Sequence, residues 1–125
     1  MKTYDYKSLL SYIKYGRDKT IRKIANNTIA RIENDVIIVR YYNTDIVELY
    51  PDKVILHDGG YKTYTTKERL NWFLPKRFIL NQENFNWILR NYVTKEEWLY
   101  KDGITIFYGG IVTNNQLEDK NHVAK

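Results

Sequence analysis

The residues of this chain best suited to chemistry crowd into one stretch, Asp58 to Asn71. Gly59-Gly60 permits positive φ or a close backbone approach. A helix that starts just after such a turn points its first N–H groups and the positive end of its dipole outward, toward an anion. Lys62, Lys67 and Arg69 add full charges, and Thr63, Thr65 and Thr66 carry hydroxyls that can donate to phosphate oxygens. Tyr61 offers an aromatic face to a nucleobase, and the amide of Asn71 pairs a donor and an acceptor with an adenine edge. Backbone donors, charges, hydroxyls and an aromatic ring thus converge on a nucleotide. The plain alternative is an ordinary glycine turn followed by a helix that Thr65 caps. The glycine spacing is not that of a Walker motif.

Other chemistries lack their parts. With no cysteine there is no thiolate nucleophile, disulfide or Cys-bound metal, and two histidines, His57 and His122, are a meagre supply of ligands. The only serines, Ser8 and Ser11, sit outside any nucleophile-elbow pattern. Glu96 and Glu97 are adjacent and point apart on any regular element, a poor arrangement for paired acid–base work. The sequence therefore predicts a binding protein, not an enzyme, with neither metal nor cofactor.

The elements that must position these residues follow from periodicity and turn chemistry. At 125 residues, 43% of them hydrophobic, the chain is read as one folding unit over 1–125 with a real core. Asp5 caps a helix that runs to about Lys14 and ends at Gly16. Thr28–Ile32, Val36–Tyr42, Asp45–Tyr50 and Lys53–His57 read as strands separated by Asn34-Asp35, Asn43-Thr44 and Pro51-Asp52, too close together for parallel crossovers. Thr65 and Glu68 fit a capping box that opens a helix through about Leu74, ahead of Pro75. Arg77–Leu80, Phe85–Tyr92 and Ile104–Tyr108 are further strands, with Phe85, Trp87 and Leu89 on one face. Residues 113–125 read as a polar, frayed tail. The expected class is α+β: an antiparallel β meander with a short N-terminal helix and a second helix after the Gly-Gly turn. No apolar run approaches the ~20 residues of a membrane helix, and Met1 to Tyr6 lack a secretory signal, which points to the cytoplasm.

Formal charge is +5, and Lys14, Arg17, Lys19, Arg22, Lys23 and Arg31 against Asp18 alone account for all of it. Such a segment either tracks a phosphate backbone or keeps a small domain soluble. Twelve tyrosines and three tryptophans supply stacking faces and interface area as well as core.

The run Gly59-Gly60-Tyr61-Lys62-Thr63-Tyr64-Thr65-Thr66-Lys67-Glu68-Arg69-Leu70-Asn71 resembles the Gly-Gly-aromatic-x-Thr-x-Thr-Thr-Lys-x-Arg-x-Asn signature of small bacteriophage proteins, in which an Asn-Thr turn such as Asn43-Thr44 commonly precedes it. The resemblance spans about Asn27 to Leu74 and, within that group, points to the phage Thoeris anti-defence proteins. It implies a sponge that sequesters, without degrading, a cyclic ADP-ribose isomer made by bacterial TIR enzymes. It further implies pockets shared between subunits of a homo-oligomer, cyclic oligonucleotides as possible second ligands, and the host bacterial cytoplasm as the place of action. Tyr61 and Asn71 would then contact the adenine, and Arg40 and Arg90 are candidates for the phosphates. The competing partners are nucleic acid, held by the basic segment, and a host protein.

Overall fold

The computed structural model describes residues 2–114. Helix α1 (Tyr6–Lys14) opens with a reciprocal capping box: the Ser8 N–H donates to Asp5 Oδ1 at 2.8 Å and the Asp5 N–H donates to Ser8 Oγ at 3.2 Å. Its Leu9 and Ile13, one turn apart, are wholly buried. Five strands follow as hairpins: β1 (Ile21–Ala25), β2 (Thr28–Glu33), β3 (Val36–Tyr41), β4 (Thr44–Leu49) and β5 (Lys53–Leu56). At the β2–β3 turn Asn34 and Asp35 both take positive φ, 49° and 65°, the backbone of a two-residue turn whose twist matches the strands it joins. Strand β3 alternates cleanly, with Ile37 and Val39 buried. A register shift between Val39 and Arg40 lets the consecutive Ile46 and Val47 of β4 both face inward.

After β5 the chain leaves the sheet. It makes helix α2 (Tyr64–Asn71), then β6 (Phe78–Glu83), β7 (Asn86–Asn91) and β8 (Glu97–Leu99), a separate three-stranded antiparallel sheet. Strand β9 (Thr105–Phe107) then returns to pair with β5, and β10 (Val112–Thr113) pairs with β9, which completes a seven-stranded sheet in the order β1-β2-β3-β4-β5-β9-β10. Val54 and Leu56 of β5, Ile104 and Ile106, Leu70 and Phe73, and Leu80, Trp87 and Leu89 of the small sheet share one apolar core. The result is a β-rich α+β fold: antiparallel sheet with two short helices.

Several local expectations need correction. Strand β1 lies inside the segment read only as basic, because Ile24 is its sole fully inward residue and charges occupy the positions around it. Thr63, not Thr65, caps α2: its Oγ1 accepts the Thr66 N–H at 3.2 Å, and Glu68 approaches Arg69 instead of closing a box. The helix ends at Asn71, and Trp72, Phe73 and Leu74 are buried in the turn beyond it. Phe85 is 94% exposed at a hairpin turn, with φ 69°, and is no part of the core face. Glu97 starts strand β8, and Glu96 lies just before it. Of the expected tail, Thr113 belongs to β10, and residues 115–125, His122 among them, lie outside the described residues.

Candidate functional site

The glycine turn is built around Asp58, a carboxylate only 5% exposed. Its Oδ1 accepts the Gly60 N–H at 2.7 Å, its carbonyl accepts the Tyr61 N–H at 3.0 Å, and its own N–H donates to Asp102 Oδ1 at 2.8 Å. Gly59 and Gly60 take φ of +63° and +86°, which side chains rarely adopt. Gly59 is further constrained by space, since a Cβ there would sit 2.4 Å from Thr44 Cγ2. The turn is therefore pressed directly against the β3–β4 hairpin.

That approach forms a cleft of about 340 Å³. One wall is the hairpin end, Tyr41, Tyr42, Asn43 and Thr44, with the two tyrosine rings edge-on at 4.8 Å between centroids. The other is Tyr61 with Thr63, Thr65 and Thr66 at the start of α2, and the buried Ile46 and Asp58 close the bottom. The three threonine hydroxyls are linked, Thr63 Oγ1 donating to Thr66 Oγ1 at 3.0 Å and lying 3.3 Å from Thr65 Oγ1. Tyr42 and Tyr61 are 62% and 66% exposed, so their faces are open to a planar ligand. The Tyr100 phenol, facing the Asp58 charge from within the core, is pushed well above its usual range, first by burial and then by that charge.

The sequence-predicted residues divide into two groups. Tyr61, Thr65 and Thr66 line the cleft. Lys62 and Lys67 border it along the chain, their ammonium groups 5.6 Å over the Tyr100 ring and 5.0 Å over the Tyr64 ring, and neither makes an ion pair among the described residues. Arg69 is not a solvent-facing cation. Its guanidinium lies 4.2 Å over Trp72 and 5.1 Å over Tyr41, its Nε donates to the buried Thr28 hydroxyl at 3.0 Å, and its side chain is 14% exposed.

Asn71 is likewise corrected. Its Nδ2 donates to the carbonyls of Lys67 and Leu80 at 3.2 and 3.0 Å while its Oδ1 accepts the Leu80 N–H at 2.8 Å, so both faces of the amide are engaged by backbone and neither is left for an adenine edge. The expected arginines are also committed elsewhere. Arg40 pairs with Asp45 at 3.0 Å, and Arg90 is clasped by Glu83 and Glu97 on the small sheet. Arg31 shares Asp45 with Arg40, and these guanidiniums hold the Asp45 carboxyl down at about 2.

A second cleft, of about 360 Å³, is lined by Ile38, Asp45, Glu48, His57, Gly59 and Asp102. The His57 ring stands between two carboxylates, with Nε2 2.6 Å from Glu48 and Nδ1 3.4 Å from Asp102. Three carboxylates make this a poor seat for a phosphate, and no group of three or more acidic or His side chains among the described residues is placed to hold a metal ion.

The family model described as Kyanoviridae Gp96 protein matches residues 7–114, which takes in α1 apart from Tyr6, the glycine turn and both sheets. The chain belongs to that family. It is therefore a small phage protein. No curated protein and no solved structure matches it. Among the described residues of this Gp96-family chain no helix is long and apolar enough to cross a membrane.

Sequence reasoning missed the hairpin wall of the cleft. Tyr41 and Tyr42 close the most β-branched run of the chain and read simply as strand. The available signal was register: antiparallel pairing of β4 with β5 brings the Asn43-Thr44 turn beside Gly59.

Proposed function

We propose that this phage protein binds and sequesters an adenine-containing cyclic nucleotide, a glycocyclic ADP-ribose made by TIR enzymes, in the tyrosine-lined cleft, and so acts against host defence without degrading the signal. The observation that carries the reading is the cleft itself, in which Tyr61 faces the Tyr41-Tyr42 pair across a gap rimmed by threonine hydroxyls. A base enters between aromatic faces. The linked hydroxyls of Thr63, Thr65 and Thr66, with Lys62 and Lys67 close by, suit the diphosphate. The lining holds one carboxylate, Asp58, whose Oδ1 is already engaged by Gly60, a composition suited to holding a ligand and poor in acid–base groups.

A homo-oligomer is part of the proposal. Tyr42, Tyr61 and Tyr64 are each more than 60% exposed around the cleft, and a second subunit laid over them would enclose the ligand more fully than one chain does. Calorimetric titration with TIR-derived cyclic ADP-ribose tests the reading, followed by recovery of the ligand after denaturing the protein. Tight binding and an intact ligand are expected. Absence of binding rejects the site, and a cleaved ligand rejects sequestration.

A further inference from the structure

Four arginines of the sheets and α2 are ion-paired, Arg31 and Arg40 with Asp45, Arg69 with Glu68 and Arg90 with Glu83 and Glu97. Lys14, Arg17, Lys19 and Lys23 are all exposed and make no ion pair among the described residues. The one acid in that span, Asp18, is turned onto Thr20, whose N–H and hydroxyl donate to it at 2.9 and 2.7 Å. Lys14, Arg17 and Lys19 follow one another on the last residue of α1 and the connection after it, whereas Lys23 projects from the face of β1 opposite Arg22.

That connection is held in place. Arg22 reaches back across the helix terminus, donating from Nη1 to the Tyr12 carbonyl at 2.7 Å and lying 3.7 Å over the Tyr12 ring. The buried Gly16 lets it pass, since a Cβ there would stand 3.0 Å from Arg22 Cδ. Between Lys14 and Gly16 stands Tyr15, the C-cap of α1, 84% exposed and stacked on no other ring among the described residues.

We propose that Lys14, Tyr15, Arg17 and Lys19 form a binding surface for single-stranded nucleic acid, separate from the tyrosine cleft. The cations track successive phosphates and Tyr15 takes one base on its face, the combination by which such strands are held without sequence preference. Stacking on a lone ring requires an unpaired base, which selects a single strand over a duplex. The span from Lys14 to Thr20 contains no aliphatic side chain to enter a lipid surface, so the charge is directed at a polyanion in water.

The test is fluorescence anisotropy with labelled 15-mers of dT and of U in 50–200 mM NaCl. Three phosphate contacts predict that log affinity falls against log salt with a slope of about −2. Arg17→Glu/Lys19→Glu should lower affinity at least tenfold and flatten that slope. Tyr15→Ala should lower affinity about tenfold at an unchanged slope, with Tyr15→Phe restoring it. Tyr61→Ala, in the other site, should change nothing. Circular dichroism confirms that each variant folds. The two oligomers distinguish DNA from RNA as the better ligand. No binding at 50 mM salt overturns the proposal. So does loss with the charge pair but none with Tyr15→Ala, and so does equal or tighter capture by vesicles containing 30% phosphatidylserine.

Discussion

Asn71 and Leu80 hold one another by a two-way hydrogen bond, the Asn71 amide accepting the Leu80 N–H at 2.8 Å and donating to the Leu80 carbonyl at 3.0 Å. The pair fastens the end of α2 to the first strand of the small sheet, and a third bond to the Lys67 carbonyl closes the last turn of the helix. An amide that imitates a neighbouring strand in this way is a structural part.

Asn71→Ala should accordingly lower stability by about 1–3 kcal/mol, because it leaves the N–H and carbonyl of the buried Leu80 without partners. Asn71→Asp should be no better, since it keeps the acceptor but sets a carboxylate against two carbonyls. Chemical denaturation measures both, and an unchanged midpoint with weakened nucleotide binding would return Asn71 to the site.

Arg69→Ala is expected to destabilise the fold by about 2–3 kcal/mol, through loss of its stacking between Trp72 and Tyr41 and of its bond to the buried Thr28. Arg69→Lys should rescue little, because an ammonium cannot cover two rings as a planar guanidinium does. Full stability of Arg69→Ala in a thermal melt would contradict this.

At the glycine turn the two residues should differ. Gly60→Ala meets nothing within 4 Å and costs about 1 kcal/mol for its positive φ, whereas Gly59→Ala adds a collision with Thr44. Removing the obstacle, as Gly59→Ala/Thr44→Gly, should recover part of the difference in a double-mutant cycle, and strict additivity would show that the two residues do not touch.

Tyr61→Ala should leave the melting temperature nearly unchanged, its ring being 66% exposed, and weaken nucleotide binding by one to two orders of magnitude. Tyr61→Phe should bind almost as wild type. Equal affinity for wild type and Tyr61→Ala by calorimetry would remove the cleft from consideration.

Asp45 sets an acid limit. Its carboxyl is held at about 2, below its ordinary 3.8, first by the hydrogen bonds from Arg31 and then by Arg40. A group depressed in the folded state stabilises above its unfolded pKa, so this contribution is complete above about pH 4 and disappears as pH falls toward 2. Melting temperatures across that window should fall less steeply for Asp45→Asn than for wild type. Parallel curves would place the acid sensitivity elsewhere.

The hairpins were legible because their turns use residues that tolerate positive φ, as at Asn34-Asp35, and because β3 alternates without interruption. Strand β1 was hidden: with one buried residue it has too little apolar signal to stand out from its charges. The Thr65–Glu68 spacing matched a capping box in the wrong register, since Thr63 also had a hydroxyl at cap distance from the helix and used it. Tyr61 stood out because it follows two glycines, and it lines the cleft. The roles of Asn71 and Arg69 were not, because nothing in a one-dimensional pattern shows that Leu80 and Trp72 come to meet them.

The pairing of β5 with β9 matches Lys53 with Phe107 and Ile55 with Thr105, residues about fifty positions apart. On the ribosome, at about 5–20 residues per second, β5 therefore waits roughly 3–10 s with one edge uncovered after it has been made. The hairpin wall of the cleft needs only the first fifty residues. Asp58, which shapes the opposite wall, donates its backbone N–H to the Asp102 carboxylate, and the Gly103 N–H from the same late segment donates to the Leu56 carbonyl. A chain stalled or cut before residue 102 would thus carry every residue of the cleft and still be unable to set its glycine turn.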